Sequence, residues 1–196
     1  MSDDVELLRA WSSGDTAAGK AFYRRHQTRI TAFFARKTTT EVPDLVQRCF
    51  LRCLEAQARG MVIGNPLGLL LTIARNELYD HLARQNRGPA IDPAVTSLHD
   101  LRTGPSQLLA RAQQQRRLHA ALARLPLDDQ LALELYYWEQ LPMAELARVL
   151  EIGRSAAISR VHRARGKLRH LLDDAPSDAE LEASLSIPPD DRPPPG

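Results

Sequence analysis

The chain has 196 residues, of which 43% are hydrophobic and 26% charged, and this is the composition of a soluble globular protein. It contains no run of eighteen or more apolar residues, which excludes a membrane-spanning helix, and its acidic start, MSDDVELLRA, argues against a secretory signal. The net charge is only +2, and two cysteines are too few for a disulfide scaffold, so we expect a cytoplasmic protein.

Leu, Ala and Arg are abundant and β-branched residues are sparse, which favours helix over sheet and predicts an all-α fold. The first predicted domain covers residues 1–87. Asp15 is a typical N-cap, and Pro66 suits the first turn of a helix. Apolar spacing and these signals predict four helices, which cover 4–11, 15 to the threonines at 38–40, 44–58 and 66–86.

A proline- and glycine-containing segment, residues 88–106, predicts a flexible linker to a second helical domain at 107–172. Helices are expected in the second domain at 107–125, 128–139, 142–150 and 154–172. Residues 173–196 are acidic and rich in proline, and such a segment cannot bury enough apolar surface to fold alone. The sequence therefore predicts two helical domains and a disordered tail.

The last two predicted helices have the layout of a helix-turn-helix, joined by the turn Glu151-Ile152-Gly153. Between residues 154 and 170 the second of them carries six positive charges and no acid, whereas residues 171–196 carry seven acids and one arginine. A basic helix of this width fits the major groove of DNA. The alternative interpretation is a helical hairpin with a solvated basic exterior.

Three stretches carry a more specific signal: LARLPLDDQLALELYYWEQLPMAELARVLEIGRSAAISRVHRARGKLR in the second domain, and DLVQ and IARN in the first. In their order along the chain these stretches resemble bacterial sigma-70 factors. The resemblance is strongest to the small two-domain extracytoplasmic-function (ECF) group and covers residues 4–172. The resemblance implies a sigma factor that binds core RNA polymerase through its β′ clamp helices and β flap and recognises the −10 and −35 elements of promoter DNA. It also implies an anti-sigma protein as a partner, which nothing in these residues indicates by itself.

The family's polymerase-docking helix matches the third predicted helix of this chain. The resemblance implies that four of its residues bind polymerase, namely Asp44, Gln47, Phe50 and Arg52. A Phe anchor flanked by polar groups suits a protein interface, but Phe50 is equally suited to the core. Arg48 stands where the family usually has an acid.

The loop from Gly60 to Pro66 and the fourth helix resemble the part of the family that reads the −10 element on melted DNA. Charge, amide groups and a stacking ring for single-stranded DNA are offered by four residues of this helix: Arg75, Asn76, Tyr79 and Arg84. Local pairing of Arg75 with Asn76 is the alternative.

The last helix matches the −35 reading helix. The resemblance implies DNA contacts by Arg154, Ser155, Ile158, Ser159, Arg160, His162, Arg163 and Arg165. Arg163 is expected to bind guanine, whereas Arg160, Arg165, Lys167 and Arg169 suit phosphate contacts or support within the domain. Ile158 stands where a basic residue is common, so an apolar contact, such as one with a thymine methyl group, replaces hydrogen-bonded readout there.

No pattern in the sequence predicts catalysis, a cofactor or a metal. It contains no glycine-rich phosphate loop, nucleophile elbow or paired carboxylates, and Cys49 and Cys53 share a helical face that is expected to pack in the core. Two other functions stay open: a helix-turn-helix regulator that acts without joining polymerase, and an interaction module whose basic helix binds an acidic protein. The tail either competes with DNA for the basic helix or only adds solubility.

Overall fold

A computed structural model describes residues 2–85 and 117–172 and divides the chain into two compact units, Met1–Ser97 and Leu98–Gly196. Regular structure within the described residues is entirely helical, which confirms the predicted all-α class. The predicted linker at 88–106 and tail at 173–196 lie outside the described residues. No helix in the described ranges is long and apolar enough to cross a bilayer.

The first unit contains the four predicted helices, which span Ser2–Ser12 (α1), Thr16–Ala35 (α2), Val42–Ala58 (α3) and Pro66–Gln85 (α4). Asp15 caps α2 as expected, because its carboxylate accepts hydrogen bonds from the backbone N–H groups of Ala17 and Ala18 at 2.8 and 3.0 Å. α3 begins two residues earlier than predicted, because Pro43 fits its first turn.

Large apolar side chains from all four helices form the core of the first unit. The fully buried ones include Leu8, Phe22, Ile30, Phe33, Phe34, Leu45, Leu70, Leu71 and Leu78. Helices α1 and α2 approach closely at Gly19, where a Cβ atom would lie 2.5 Å from the Trp11 ring. A side chain at position 19 would therefore displace the Trp11 ring.

The described part of the second unit contains a helical segment at 117–123, followed by Leu127–Tyr137 (α5), Met143–Leu150 (α6) and Arg154–Leu171 (α7). The start of the helix predicted at 107–125 lies outside the described residues. Glu151 ends α6 in the left-handed conformation, with φ 56°, and this reverses the chain before α7. The predicted helix-turn-helix is therefore confirmed.

Candidate functional site

Helix α7 has one apolar and one polar face. Its inner face consists of four buried residues: Ala157, Val161, Ala164 and Leu168. The opposite face exposes six of the eight residues expected to contact the −35 element: Arg154, Ser155, Ile158, Ser159, His162 and Arg163. Because all six lie on the side of the helix away from its buried residues, they form one exposed surface. We call it the α7 face.

Two cations of α7 are tied to the start of α5 instead. Arg160 contacts the Asp128 carboxylate at 2.9 Å, and Lys167 contacts that of Asp129 at 2.6 Å. The six positive charges of this helix are thus partly neutralised within the unit, which the uninterrupted basic run did not predict. These contacts correspond to one of the two roles left open for Arg160 and Lys167, support within the domain, and the phosphate contacts stay a prediction. Arg165 is half-buried.

On α4, the residues expected at the −10 element lie along one stretch of helix. The Arg75 Nη1 atom donates a hydrogen bond to the Asn76 side-chain oxygen at 3.2 Å, and its guanidinium lies 5.1 Å from the centre of the Tyr79 ring. The local pairing considered for Arg75 and Asn76 is therefore present. Arg84 is exposed in the last turn of the helix. Arg75, Asn76 and Tyr79 form a polar, cationic and aromatic strip, whereas Arg84 lies on the opposite side of the helix from Arg75.

On α3, Asp44 and Gln47 are exposed as expected, but Phe50 is not. The Phe50 side chain is only 3% exposed and packs on Tyr23, with ring centroids 4.7 Å apart. The expectation of Phe50 as a surface anchor is thus wrong, because α2 covers it. The apolar group exposed between the polar side chains is the next residue, Leu51, which is 48% exposed.

Sequence reasoning also missed a buried acid that joins α3 to α4. The Glu77 side chain is 2% exposed, accepts a hydrogen bond from the Arg48 Nε atom at 2.9 Å and contacts Arg52 Nε at 2.7 Å. Arg52, expected to bind polymerase, is therefore already held by an ion pair, although half of its side chain reaches solvent. The arginine at position 48, unusual for the family, has its partner in Glu77.

Comparison with known protein families matches two family models to these two units. "Sigma-70 region 2" matches residues 22–88, which contain α3 and α4, and "Sigma-70, region 4" matches residues 115–168, which contain the helix-turn-helix. Together they cover more than half of the chain, in the order that the sequence motifs predicted. The chain belongs to the sigma-70 family.

Individual sigma-70 proteins show how far the similarity extends. RNA polymerase sigma factor FliA of Escherichia coli K12 is 32% identical over 108 residues, or 55% of this chain and 44% of FliA. This chain therefore spans less than half the length of the curated relatives that head the comparison. ECF RNA polymerase sigma factor SigM of Mycobacterium tuberculosis is 26% identical over 171 residues, 86% of this chain and 84% of SigM. This near-complete match supports membership of the ECF group.

Two solved structures share the fold. CnrH, in complex with the cytosolic domain of CnrY, is 26% identical with a TM-score of 0.60, and the match covers 87% of this chain and 97% of CnrH. The sigma factor RpoE from Bartonella quintana, in complex with the anti-sigma factor NepR, is 25% identical with a TM-score of 0.62 over 79% of this chain and 98% of that one.

Cys49, Cys53 and His26 of the first unit are buried. Cys49 and Cys53 are free thiols in the core, and burial raises the pKa of Cys53 to about 12 and that of Cys49 further. Burial also lowers the pKa of His26, against the opposing effect of Asp4, whose carboxylate lies 3.2 Å away. Within the described ranges, no three His, Cys, Asp or Glu side chains are grouped as metal ligands would be.

Proposed function

We propose that this protein is an ECF-type sigma factor, which joins core RNA polymerase in the cytoplasm and directs it to promoters. The observation that carries the proposal is the presence of sigma-70 regions 2 and 4 in one chain, in family order. Each region displays polar or charged side chains on a helix that the fold holds in place. As a sigma factor, the protein contributes binding energy and DNA opening and leaves catalysis to polymerase.

In this proposal the first unit has two tasks. The exposed strip of α3, with Asp44, Gln47, Leu51 and Arg52, binds the β′ clamp helices of polymerase. Leu51 takes the role of apolar anchor that Phe50 cannot fill, because an interface needs an exposed apolar group among its polar contacts.

The second task of the first unit is to bind the opened −10 element. This function is proposed for the polar strip of α4, formed by Arg75, Asn76 and Tyr79, together with Arg84 at the end of the helix and the preceding loop at 60–66. An aromatic ring and cations are the groups that bind single-stranded DNA in general. The hydrogen bond between Arg75 and Asn76 orients both side chains before DNA arrives.

The second unit is proposed to bind the −35 element through the α7 face and to contact the β flap of polymerase. Arg163 is the candidate for bidentate hydrogen bonds with guanine, and Arg154 for a phosphate. Arg160 and Lys167 hold the helix in register on α5, so they act on DNA binding indirectly.

An anti-sigma protein is a further proposed partner. RpoE is bound to an anti-sigma factor and CnrH to the cytosolic domain of CnrY in the structures that resemble this chain. A helix-turn-helix regulator that acts without polymerase is not favoured, because it leaves the region 2 match of residues 22–88 without a function.

Transcription by purified components tests the proposal. Core polymerase is mixed with this protein and a library of random promoters, and the DNA that gives transcripts is sequenced. A sigma factor yields transcripts with two shared upstream elements, and core polymerase alone does not. A regulator of the alternative kind binds duplex DNA tightly as a free dimer and yields no transcripts, which would refute the proposal.

A further inference from the structure

The centre of the α7 face is occupied by an apolar side chain. Ile158 is 49% exposed, and within the described residues of the second unit Tyr136 is the other large apolar residue with comparable exposure. Arg154 lies one turn before Ile158 and His162 one turn after it, so all three point to the same side of the helix. Ser155 and Ser159 flank the isoleucine, so an apolar patch sits within polar surroundings.

The backbone that carries this apolar group is held in place by the rest of the unit. Its neighbour Ala157 is fully buried, and the contacts of Arg160 and Lys167 with Asp128 and Asp129 fasten α7 to α5. A β-branched side chain in a helix is also restricted to one preferred rotamer. The backbone position and the first side-chain torsion of Ile158 are therefore restricted, which suits a side chain that reads DNA.

In the major groove, the apolar group that distinguishes one base from another is the 5-methyl group of thymine. We propose that Ile158 recognises one thymine of the −35 element through this methyl group, and that its cationic and polar neighbours contact the adjoining bases and phosphates. The inference rests on the proposed function and adds the chemistry of one base pair to it. Ile158 is thus a specificity-determining residue that does not use hydrogen bonds.

Deoxyuridine is the most direct probe, because it differs from thymidine only by the missing methyl group. Each thymine of a selected −35 element is replaced in turn by deoxyuridine, and binding of the holoenzyme, formed from core polymerase and the full chain, is measured. Loss of one methyl contact is expected to weaken binding about fourfold at a single position. With Ile158→Ala, DNA that carries thymine at this position and DNA that carries deoxyuridine should bind equally, because the side chain that contacts the methyl group is gone.

Two control variants separate this effect from general damage. Ser159→Ala removes a neighbouring polar group, and it should keep the fourfold preference for thymine whatever its effect on total affinity. Ile158→Leu keeps an apolar side chain and should restore part of the preference that Ile158→Ala loses. Circular dichroism of each variant checks that the total helix content is unchanged, and an alanine in an exposed helical position is expected to favour the fold.

The outcomes distinguish this inference from the function on which it rests. If the holoenzyme selects a −35 element and starts RNA chains but no deoxyuridine position weakens binding, Ile158 does not read a methyl group. A thymine preference that survives in Ile158→Ala overturns the inference equally. If no holoenzyme forms, or no −35 element is selected, the proposed function itself fails and this inference fails with it.

Discussion

Replacement of Glu77 by Gln tests whether the ion pairs between α3 and α4 hold the first unit together. The side chain is 2% exposed, whereas its partners Arg48 and Arg52 are 36% and 51% exposed. In Glu77→Gln both arginines lose a charged partner but can turn into water, and glutamine can still accept one hydrogen bond. The expected loss of unfolding free energy is therefore moderate, about 2 kcal/mol.

Removal of both arginines has a larger predicted cost, because Glu77 cannot reach water as they do. In the double variant Arg48→Ala/Arg52→Ala, a buried carboxylate is left without a counter-charge, and such losses cost about 3–5 kcal/mol. The order of the two effects follows from the burial of the three side chains. The control is Glu55→Gln, which removes an exposed acid from α3, the helix that carries both arginines. It should change the free energy of unfolding by less than about 0.5 kcal/mol.

The assay is urea unfolding followed by the fluorescence of Trp11, which packs near Phe22 in the first unit, with their ring centroids 6.1 Å apart. The protein has two tryptophans, so the measurement is made in a Trp138→Phe background, in which the second unit contributes no tryptophan fluorescence. If the double arginine variant is no less stable than Glu77→Gln, the carboxylate is not effectively buried. A stability of Glu77→Gln equal to that of the control would refute the reasoning altogether.

Three further predictions concern other parts of the two units. Burial lowers the pKa of His26 below its usual 6.5, so the unfolded chain binds a proton at a higher pH than the folded chain does. The free energy of unfolding should therefore be greatest above about pH 6.5 and decrease below it. Urea titrations at pH 5 to 8 measure this dependence, which His26→Gln should flatten. Lys167→Ala should destabilise the second unit by about 1 kcal/mol, as measured by urea unfolding followed by Trp138 fluorescence. Arg163→Ala should leave stability unchanged and weaken promoter binding by about tenfold. If the two variants affected both measurements equally, Lys167 would not differ from Arg163 in supporting the fold. Leu51→Ala should lower affinity for core polymerase without loss of stability, whereas Phe50→Ala should cost about 3 kcal/mol or more of stability, and a reversal of this pattern would return the anchor role to Phe50.

Local signals in the sequence predicted the helices within residues 2–85 and 117–172 well. Asp15 and Pro66 mark helix starts through chemistry that acts within one turn, and the turn at 151–153 follows from the end of one apolar period and the start of another. Such information lies within a few residues of each boundary, so it can be found without the tertiary structure.

The contacts that decide what is exposed are not local, and here the sequence was insufficient. Phe50 has the spacing of a core residue and the neighbours of an interface residue, and its packing on Phe22 and Tyr23 of α2 decides between them. Glu77 contacts an arginine 29 residues earlier in the chain, and Lys167 an aspartate 38 residues earlier. A run of basic residues therefore overstates the positive charge that is available to a polyanion, because some of its members pair with acids elsewhere in the unit.

Site-specific photo-crosslinking tests most directly the claim that two helical units bind separate elements of one promoter. A benzophenone amino acid replaces His162 on α7 in one variant and Tyr79 on α4 in another, and each holoenzyme is irradiated on a selected promoter. The account predicts cross-links from position 162 to the −35 element and from position 79 to the non-template strand of the −10 element. Cross-links from both positions to the same segment, or from position 162 to polymerase alone, would contradict it.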